Sequence, residues 1–441
     1  MSYPAIIGFV MMIVIVWVLL KQKTSTMFAF TVIPILGAIL VGASPTQIGG
    51  YLTKGLGMTT PVALIMLFSL PYFLLMADTG FFNGIVRRIL KHINLNPIVL
   101  TCLTLLIAMI TGFDVSITSI YLITIPLLLP FYQKLHMKPI ILVFLTTVGA
   151  INTFDVPWSA RMLRSASLIP NISGGANHLF GMMFPTQIIF TVLLFLMAAY
   201  LGFREQRLIK KECATSDMTA GKVDISDIVD DPELSRPKLF WINVTLTILV
   251  IMALCLMPSI PSYYVFAFGL VIALAYNFPD LKQQNKLLKK YASSLLPIMP
   301  AILLSGVVVG VMQYSGMMKA MVDTLVKIIP SSMGPWIYII IAVFSTPLMF
   351  IFTNDTWYYV LMPIIVSLMK AYGVPADIVI VTLFMNMGAL LTPIAQPQIY
   401  IGIDLTHGAV DLQQYVKYAF IPIWGMSLVW IGLGLLTGAF R

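Results

Sequence analysis

The chain has 441 residues, of which 59% are hydrophobic and only 10% are charged, and its mean hydropathy is +0.96. Soluble domains carry about 25% charged residues, so this composition excludes a soluble enzyme or binding protein and indicates a polytopic membrane protein. The net charge of +9 does not indicate a nucleic-acid partner, because the lysines and arginines lie mainly in short gaps between apolar runs, as positive-inside topology requires.

Apolar runs long enough to cross a bilayer occur along the whole chain, since one helical crossing needs about 20 residues. The first run begins almost at Met1 with no basic segment before it, and we interpret it as a retained span rather than a cleaved signal peptide. Uninterrupted runs lie near 3–20, 27–45, 58–77, 179–203, 239–257, 260–278, 292–314 and 415–440.

Four further apolar stretches are interrupted by polar residues or prolines. Stretches 97–132 and 333–369 are too long for one crossing and too short for two with a loop, so we interpret them as re-entrant hairpins. Stretches 138–169 and 377–405 have polar, proline-containing centres and predict broken helices.

The segment 204–238 contains eight of the 17 acidic residues and seven lysines and arginines, which predicts a solvated cytoplasmic linker. Lys21 and Lys23 mark a second cytoplasmic loop, and the lysines of 282–290 mark a third. Counting crossings between these loops predicts that both termini lie on the outer side of the cell membrane.

The chain repeats itself. Residues 79–93, TGFFNGIVRRILKHI, resemble residues 315–329, SGMMKAMVDTLVKII, and other segments match at nearly the same offset. We therefore predict an all-α polytopic membrane protein of two repeats, 1–203 and 239–441, each with five crossings and one hairpin. The odd number inverts the second repeat, which is the architecture of secondary transporters; a channel with inverted repeats is the alternative from another class.

The stretches 80–95 and 317–329 occupy matching places in the two repeats and are amphipathic. We interpret them as helices in the membrane interface that link a scaffold to a moving part; ordinary polar loops are the alternative.

The polar breaks fall at membrane depth, where unwound backbone lines a cavity or is buried in protein. The two hairpin tips and the two helix breaks are expected to converge on one substrate site, because the backbone N–H groups at helix ends suit a carboxylate. The side chains predicted to orient such a ligand are Ser116, Thr118, Ser119, Asn152, Thr153, Ser159, Thr353, Asn354, Gln396 and Gln398.

Charged residues in the breaks are the strongest functional candidates. Arg161 can grip a carboxylate with two parallel hydrogen bonds, whereas Arg164, one turn further on, can equally lie at the extracellular edge. Asp114, Asp155 and Asp355 are predicted to bind a coupling ion or the metal of a metal complex, with a structural cap or a salt bridge to Arg161 as the alternative.

At these residues the chain resembles the citrate–metal–proton symporter family of the ion transporter superfamily, which is related to dicarboxylate–sodium symporters. The segments that carry the resemblance are YLITIPLLLPFYQKLHMKP at 121–139, FTNDTWYYVLMPII at 352–365, the pair Ala160-Arg161, and Asp114 in the first tip. The places of the related symporters' Ser-Asn-Thr motifs read Ser116-Ile117-Thr118 and Thr353-Asn354-Asp355.

The resemblance implies an elevator mechanism, a homodimer built on the scaffold spans, and a proton-driven symporter whose substrate is citrate or a metal–citrate complex. The resemblance is weakest where the family's Trp-Gly-Gly-Pro-Thr is replaced by Val156-Pro157-Trp158-Ser159, since the lost glycines gave close backbone approach to a ligand. Another carboxylate or an amino acid, and sodium as the coupling ion, therefore stay open. No enzyme motif, resident cofactor or structural metal site is predicted; a divalent cation would travel with the substrate.

Overall fold

In the computed structural model, the described part of the chain folds into helices joined by turns and short irregular segments. The structure describes all residues except 22–23, 91–95, 113–116, 154, 170, 173, 213–230, 258–259, 297–298, 331, 397 and 439–441. Asp114 and Ser116 lie outside the described residues, as does most of the predicted linker.

The helices of the first half are α1 (Tyr3–Lys21), α2 (Thr26–Leu40), α3 (Pro45–Asp78), α4 (Phe81–Leu90), α5 (Pro97–Thr111), α6 (Ile117–Lys134), α7 (Pro139–Thr153), α8 (Ala160–Ala166) and α9 (Gly175–Glu212). Those of the second half are α10 (Phe240–Leu256), α11 (Ser262–Asn277), α12 (Leu281–Leu295), α13 (Met299–Tyr314), α14 (Met317–Ile328), α15 (Ile337–Val343), α16 (Ser345–Leu348), α17 (Asn354–Thr356), α18 (Met362–Ala371), α19 (Ala376–Phe384), α20 (Ile399–Asp404) and α21 (Leu412–Thr437).

Four runs within the described helices are long and apolar enough to cross a membrane alone, and the bent pair α12–α13 would add a fifth. They lie in α3, in α9, at Pro237–Leu254 and in α21. The apolar helices α1, α2, α5, α7 and α11 are shorter by the same measure. This is the character of a multi-pass membrane protein, in which broken helices divide what would otherwise be full crossings.

The interrupted stretches are divided where polar residues enter them. The first predicted hairpin comprises α5 and α6, and the second comprises α15 to α18. The first predicted broken helix separates α7 from α8, and the second ends α19 at Phe384 and resumes only at α20. The amphipathic helices α4 and α14 follow α3 and α13. The order of elements is therefore the same in both halves, while their inverted relation stays a prediction.

The predicted linker begins too early at residue 204. Helix α9 continues through Glu212, and Glu205 is buried, with its Oε2 accepting a hydrogen bond from the Lys138 N–H at 3.4 Å. The charged residues of 204–212 extend the helix because Arg, Glu, Gln and Lys are strong helix formers. Local charge density therefore did not mark the end of the element.

The buried apolar side chains form three clusters that define two bodies. One cluster joins α5–α7, α9 and α15–α21, which we call the hairpin body. The other two join α1–α4 and α10–α14, which we call the frame body. Helix α4 connects the frame body to the first hairpin, and α14 connects it to the second.

The frame body is held together by close packing of α3 against α13. Gly55 of α3 faces Gly306 and Gly310 of α13 so closely that a Cβ on Gly306 would lie 2.4 Å from the Gly55 carbonyl oxygen. Small residues let helix backbones approach, and dispersion then stabilises the pair in lipid.

Replacing Gly306 with Ala should destabilise the frame body, because the added methyl group meets backbone that cannot move aside. We expect a loss of about 1–3 kcal/mol, the usual range for overpacking. Thermal unfolding in detergent measures it, with Gly425→Ala as the control, since no atom lies within 4 Å of a Cβ there. Equal melting temperatures for the two variants would contradict this account of the α3–α13 contact.

Candidate functional site

The second hairpin reverses at a short capped turn. Thr353 precedes α17, and its Oγ1 accepts a hydrogen bond from the Thr356 N–H at 3.1 Å. The chain then continues as a π-helical segment, Trp357–Leu361, before α18. Such widened turns are rare and are frequent at functional sites. The cap places Asp355 in the first turn of the second arm.

The tip of the second hairpin contacts the break between α19 and α20. The Asn354 N–H donates to the Ala395 carbonyl at 3.2 Å, and the Asn354 side-chain amide donates to the Gln396 Oε1. Thr392 supports the break by donating to the Met349 carbonyl at 3.0 Å and accepting from the Ala395 N–H at 3.1 Å. The structure thus brings Thr353, Asn354 and Gln396 together.

The first break is supported from within the hairpin body. Asn152 donates from its Nδ2 to Thr191 Oγ1 at 2.9 Å, and its carbonyl accepts from Gln187 Nε2 at 2.7 Å. Thr153 approaches the first hairpin, where a Cβ on Gly112 would lie 2.9 Å from the Thr153 Cβ. Ser159 caps α8 by accepting from the Met162 N–H at 3.1 Å. These side chains therefore hold the break in shape.

Arg161 and Asp155 form a buried ion pair inside the first break. The Arg161 Nη2 donates to the Asp155 Oδ1, and the exposed fractions of the two side chains are 8% and 0%. The guanidinium also lies over the Phe384 ring, 4.8 Å from its centroid, beside the Tyr358 hydroxyl. Arg161 therefore has an internal counter-ion, which matches the salt bridge weighed as the alternative role of Asp155.

Arg164 pairs with the tip of the second hairpin. Its Nη1 donates to the Asp355 Oδ1 at 2.5 Å, so α8 is linked to the second tip across 191 residues of sequence. The guanidinium carbon is 4.6 Å from the centroid of the Tyr359 ring. The side chains of Arg164 and Asp355 are 13% and 33% exposed, which makes this the more accessible of the two pairs.

The signal for Arg164 in the sequence was its spacing of three residues from Arg161, which puts both on one side of a helix. Tyr358 and Tyr359, which flank the two arginines, carried no signal because aromatic residues are common in apolar spans. Thr118 and Ser119 lie in the first turns of α6, and the structure describes only their backbone.

Buried polar atoms that lack a hydrogen-bond partner gather around these breaks. In native proteins such atoms are rare and call for an explanation, such as water, an ion or a ligand. Within the described part of the chain, those that belong to the two breaks, to the second tip and to the Gln187 side chain that bonds to the first break are Asn152 Oδ1, Asp155 Oδ2, Arg161 Nε, Arg164 Nε, Gln187 Oε1, Asn354 Oδ1 and Gln398 Oε1.

A cavity of about 410 Å³ lies between the two bodies next to α8. Gly57 and Met58 of α3 line its frame side, and Leu163 and Ser167 line the side of α8. Trp158 forms part of its wall and stacks on Phe73 of α3, with ring centroids 5.7 Å apart. The break that carries Arg161 and Arg164 is thus seated against the frame body.

Removing either member of the Arg161–Asp155 pair should leave an uncompensated buried charge. We expect Asp155→Asn and Arg161→Gln each to cost about 3–5 kcal/mol of stability, and the double variant to cost less than the sum. Melting temperatures of the four proteins complete the cycle. The more exposed pair of His178 and Asp377, 2.9 Å apart, supplies Asp377→Asn as the control. Additive losses would contradict a direct interaction.

Comparison with known proteins bears on what this site does. No family model matches the chain. It is 28% identical over 442 residues to the citrate transporter of Bacillus subtilis strain 168, covering 98% of this chain and 99% of the relative. It is 29% identical over 443 residues to the Mg²⁺/citrate complex secondary transporter of the same strain, covering 99% and 98%.

A crystal structure of the Alcanivorax borkumensis YdaH transporter shares the fold, with a TM-score of 0.60 over 89% of this chain and 87% of that one. At 14% sequence identity, this likeness concerns the fold alone. The resemblance to the citrate–metal–proton symporter family is confirmed by the two relatives that match over almost their whole length. This chain is accordingly a multi-pass relative of bacterial citrate-type secondary transporters, and a transporter rather than an enzyme.

Proposed function

We propose that the protein is a secondary active symporter of an organic carboxylate, with citrate or a metal–citrate complex as the first candidate. The observation that carries the proposal is the accessible Arg164–Asp355 pair at the meeting point of the first break and the second tip. An arginine binds carboxylates through a planar fork of donors, and an ionised pair at membrane depth is retained for function.

The surrounding groups suit the remainder of such a substrate. Asn354 and Gln398 have buried amide oxygens without partners among the described residues, and these atoms accept hydrogen bonds from hydroxyls or ligate a metal. Citrate presents carboxylates and a hydroxyl, and a bound divalent cation would add further ligand positions. The relative named for a Mg²⁺/citrate complex supports a cation that travels with the substrate.

We propose proton coupling and an elevator mechanism. The division into a hairpin body and a frame body supports rigid movement of one against the other, with α4 and α14 as the connections. The same proposal includes a homodimer, an inverted relation between the repeats 1–203 and 239–441, and both termini on the outer side of the membrane. Asp355 is the acid we assign to the coupling ion or to the metal of the substrate complex, and Asp114 is a second candidate.

Reconstituted protein should accumulate labelled citrate in liposomes, because a symporter couples its substrate to an ion gradient. We expect saturable uptake in the presence of Mg²⁺, stimulation by an inward proton gradient, and counterflow when the vesicles are preloaded with citrate. Flux that neither saturates nor shows counterflow would indicate a channel. Stimulation by sodium alone would replace the proton, and a response only to another carboxylate or an amino acid would replace citrate.

The cavity between the bodies provides a test of the elevator mechanism. Gly57→Cys, in a protein whose three native cysteines are replaced by Ser, fits the structure because no atom lies within 4 Å of a Cβ there. A bulky maleimide on this cysteine should block the movement of one body against the other and abolish transport, whereas a small methylthio group should be tolerated.

Gly49→Cys supplies the matched control, since it lies on the exposed part of α3 outside the cavity and also has no atom within 4 Å of a Cβ. Full transport after bulky labelling at Gly57→Cys would contradict relative movement at this cavity. Equal inhibition at both positions would assign the effect to the label itself.

A further inference from the structure

The two arginine–aspartate pairs of the site differ in a way that divides their roles. The Arg161–Asp155 pair is sealed within one break, whereas the Arg164–Asp355 pair joins two separate elements and remains partly exposed. Because α8 and the second tip meet at this pair, its members can separate without unfolding either element. The Arg161–Asp155 pair lacks that freedom, since both residues belong to the same short break.

The contact between Arg164 and Asp355 uses only part of each group. One Nη1–Oδ1 distance of 2.5 Å defines it, and the Arg164 Nε is among the buried atoms that have no partner within the described residues. A guanidinium has five N–H donors, so a second carboxylate can bind to its unused edge before Asp355 leaves. Exchange of one carboxylate for another therefore requires no donor that Arg164 does not already carry.

The charges determine what must follow such an exchange. Without a bound substrate, the Arg164–Asp355 pair has no net charge. If a substrate carboxylate takes the place of Asp355 on Arg164, Asp355 loses its counter-ion while two thirds of its side chain is shielded from solvent, which costs free energy. A cation next to Asp355 restores neutrality. Binding of the anion and of the cation would then be coupled through this one pair.

We propose that Asp355 is a displaceable internal counter-ion of Arg164: the substrate carboxylate replaces it on the guanidinium, and the freed Asp355 contributes a ligand to the divalent cation that accompanies the substrate. Arg164 is thereby the carboxylate-binding residue and Asp355 the residue that makes the cation necessary. Asn354 Oδ1, next in the chain, supplies an unused oxygen beside it. This inference rests on the proposed carboxylate transport and assigns its specificity to two residues.

The exchange predicts opposite effects of Asp355→Asn and Arg164→Gln on citrate affinity, which a purely structural salt bridge does not. Isothermal titration of the purified protein with citrate, in metal-free buffer and in excess Mg²⁺, measures the effect of the cation on the citrate Kd. In the wild-type protein we expect Mg²⁺ to lower that Kd at least about tenfold.

In Asp355→Asn, Arg164 has no competing anion, so metal-free citrate should bind about tenfold more tightly than to the wild type, and Mg²⁺ should no longer improve the affinity. In Arg164→Gln, citrate affinity should fall at least about tenfold in both buffers because the guanidinium is absent. Asp355→Glu, which keeps the charge, should retain the effect of Mg²⁺. Asp377→Asn, an acidic residue at the other end of α19 from the break, should match the wild type throughout.

Loss of citrate binding in Asp355→Asn, in a protein that retains its melting temperature, would overturn the exchange while leaving carboxylate transport intact. The same conclusion follows if Mg²⁺ improves citrate binding equally in Asp355→Asn and the wild type, or if wild-type affinity responds to pH and not to Mg²⁺ or Ca²⁺. A wild-type protein that binds no citrate in either buffer would contradict the proposed substrate first and remove the exchange with it.

Discussion

The structure depends on satisfying polar backbone and charge at a depth where the bilayer offers no water. Each broken helix exposes N–H and C=O groups that lipid cannot solvate, so the breaks must be covered by protein. Here the tip of one hairpin covers a break: Asn354 bonds to Ala395 and Gln396, and Ser159 caps α8. The two arginines brought into this region are neutralised by Asp155 and Asp355. Packing of the hairpin body follows from these contacts, because the elements that supply them must lie side by side.

The same constraint explains why the site sits at the boundary of the two bodies. Trp158, Leu163, Tyr359 and Val360 come from the breaks and the second tip, yet they pack into the apolar clusters of the frame body. Tyr359 meets Phe30 of α2 with ring centroids 5.1 Å apart. This side of the site is therefore closed mainly by apolar contacts between the two bodies, with the Asn177 Nδ2 donating to the Leu254 carbonyl at 3.1 Å across the same boundary.

Much of the fold was predictable because its signals are local. The interruptions of 138–169 and 377–405 follow from polar residues and prolines inside apolar runs, and the structure ends α7 at Thr153 and α19 at Phe384 accordingly. The end of α9 was predicted wrongly, because charge in 204–212 was interpreted as a loop although those residues favour a helix. The candidate polar residues of the second tip and its break follow from the same local signal, and the structure joins the Asn354 amide to Gln396 Oε1 while Thr353 caps the turn.

Local sequence signals could not show which charged side chains form ion pairs. By itself, the sequence determined that this is a helical, multi-pass membrane protein whose apolar runs are interrupted by polar residues, and it predicts two similar halves, since hydropathy and spacing are properties of neighbouring residues. Only the tertiary structure decided that Arg164 meets Asp355, 191 residues away, while Arg161 is already paired with Asp155. The physical reason is that an ion pair depends on the distance between two side chains in space, and that distance is fixed by how the hairpin and the broken helices pack.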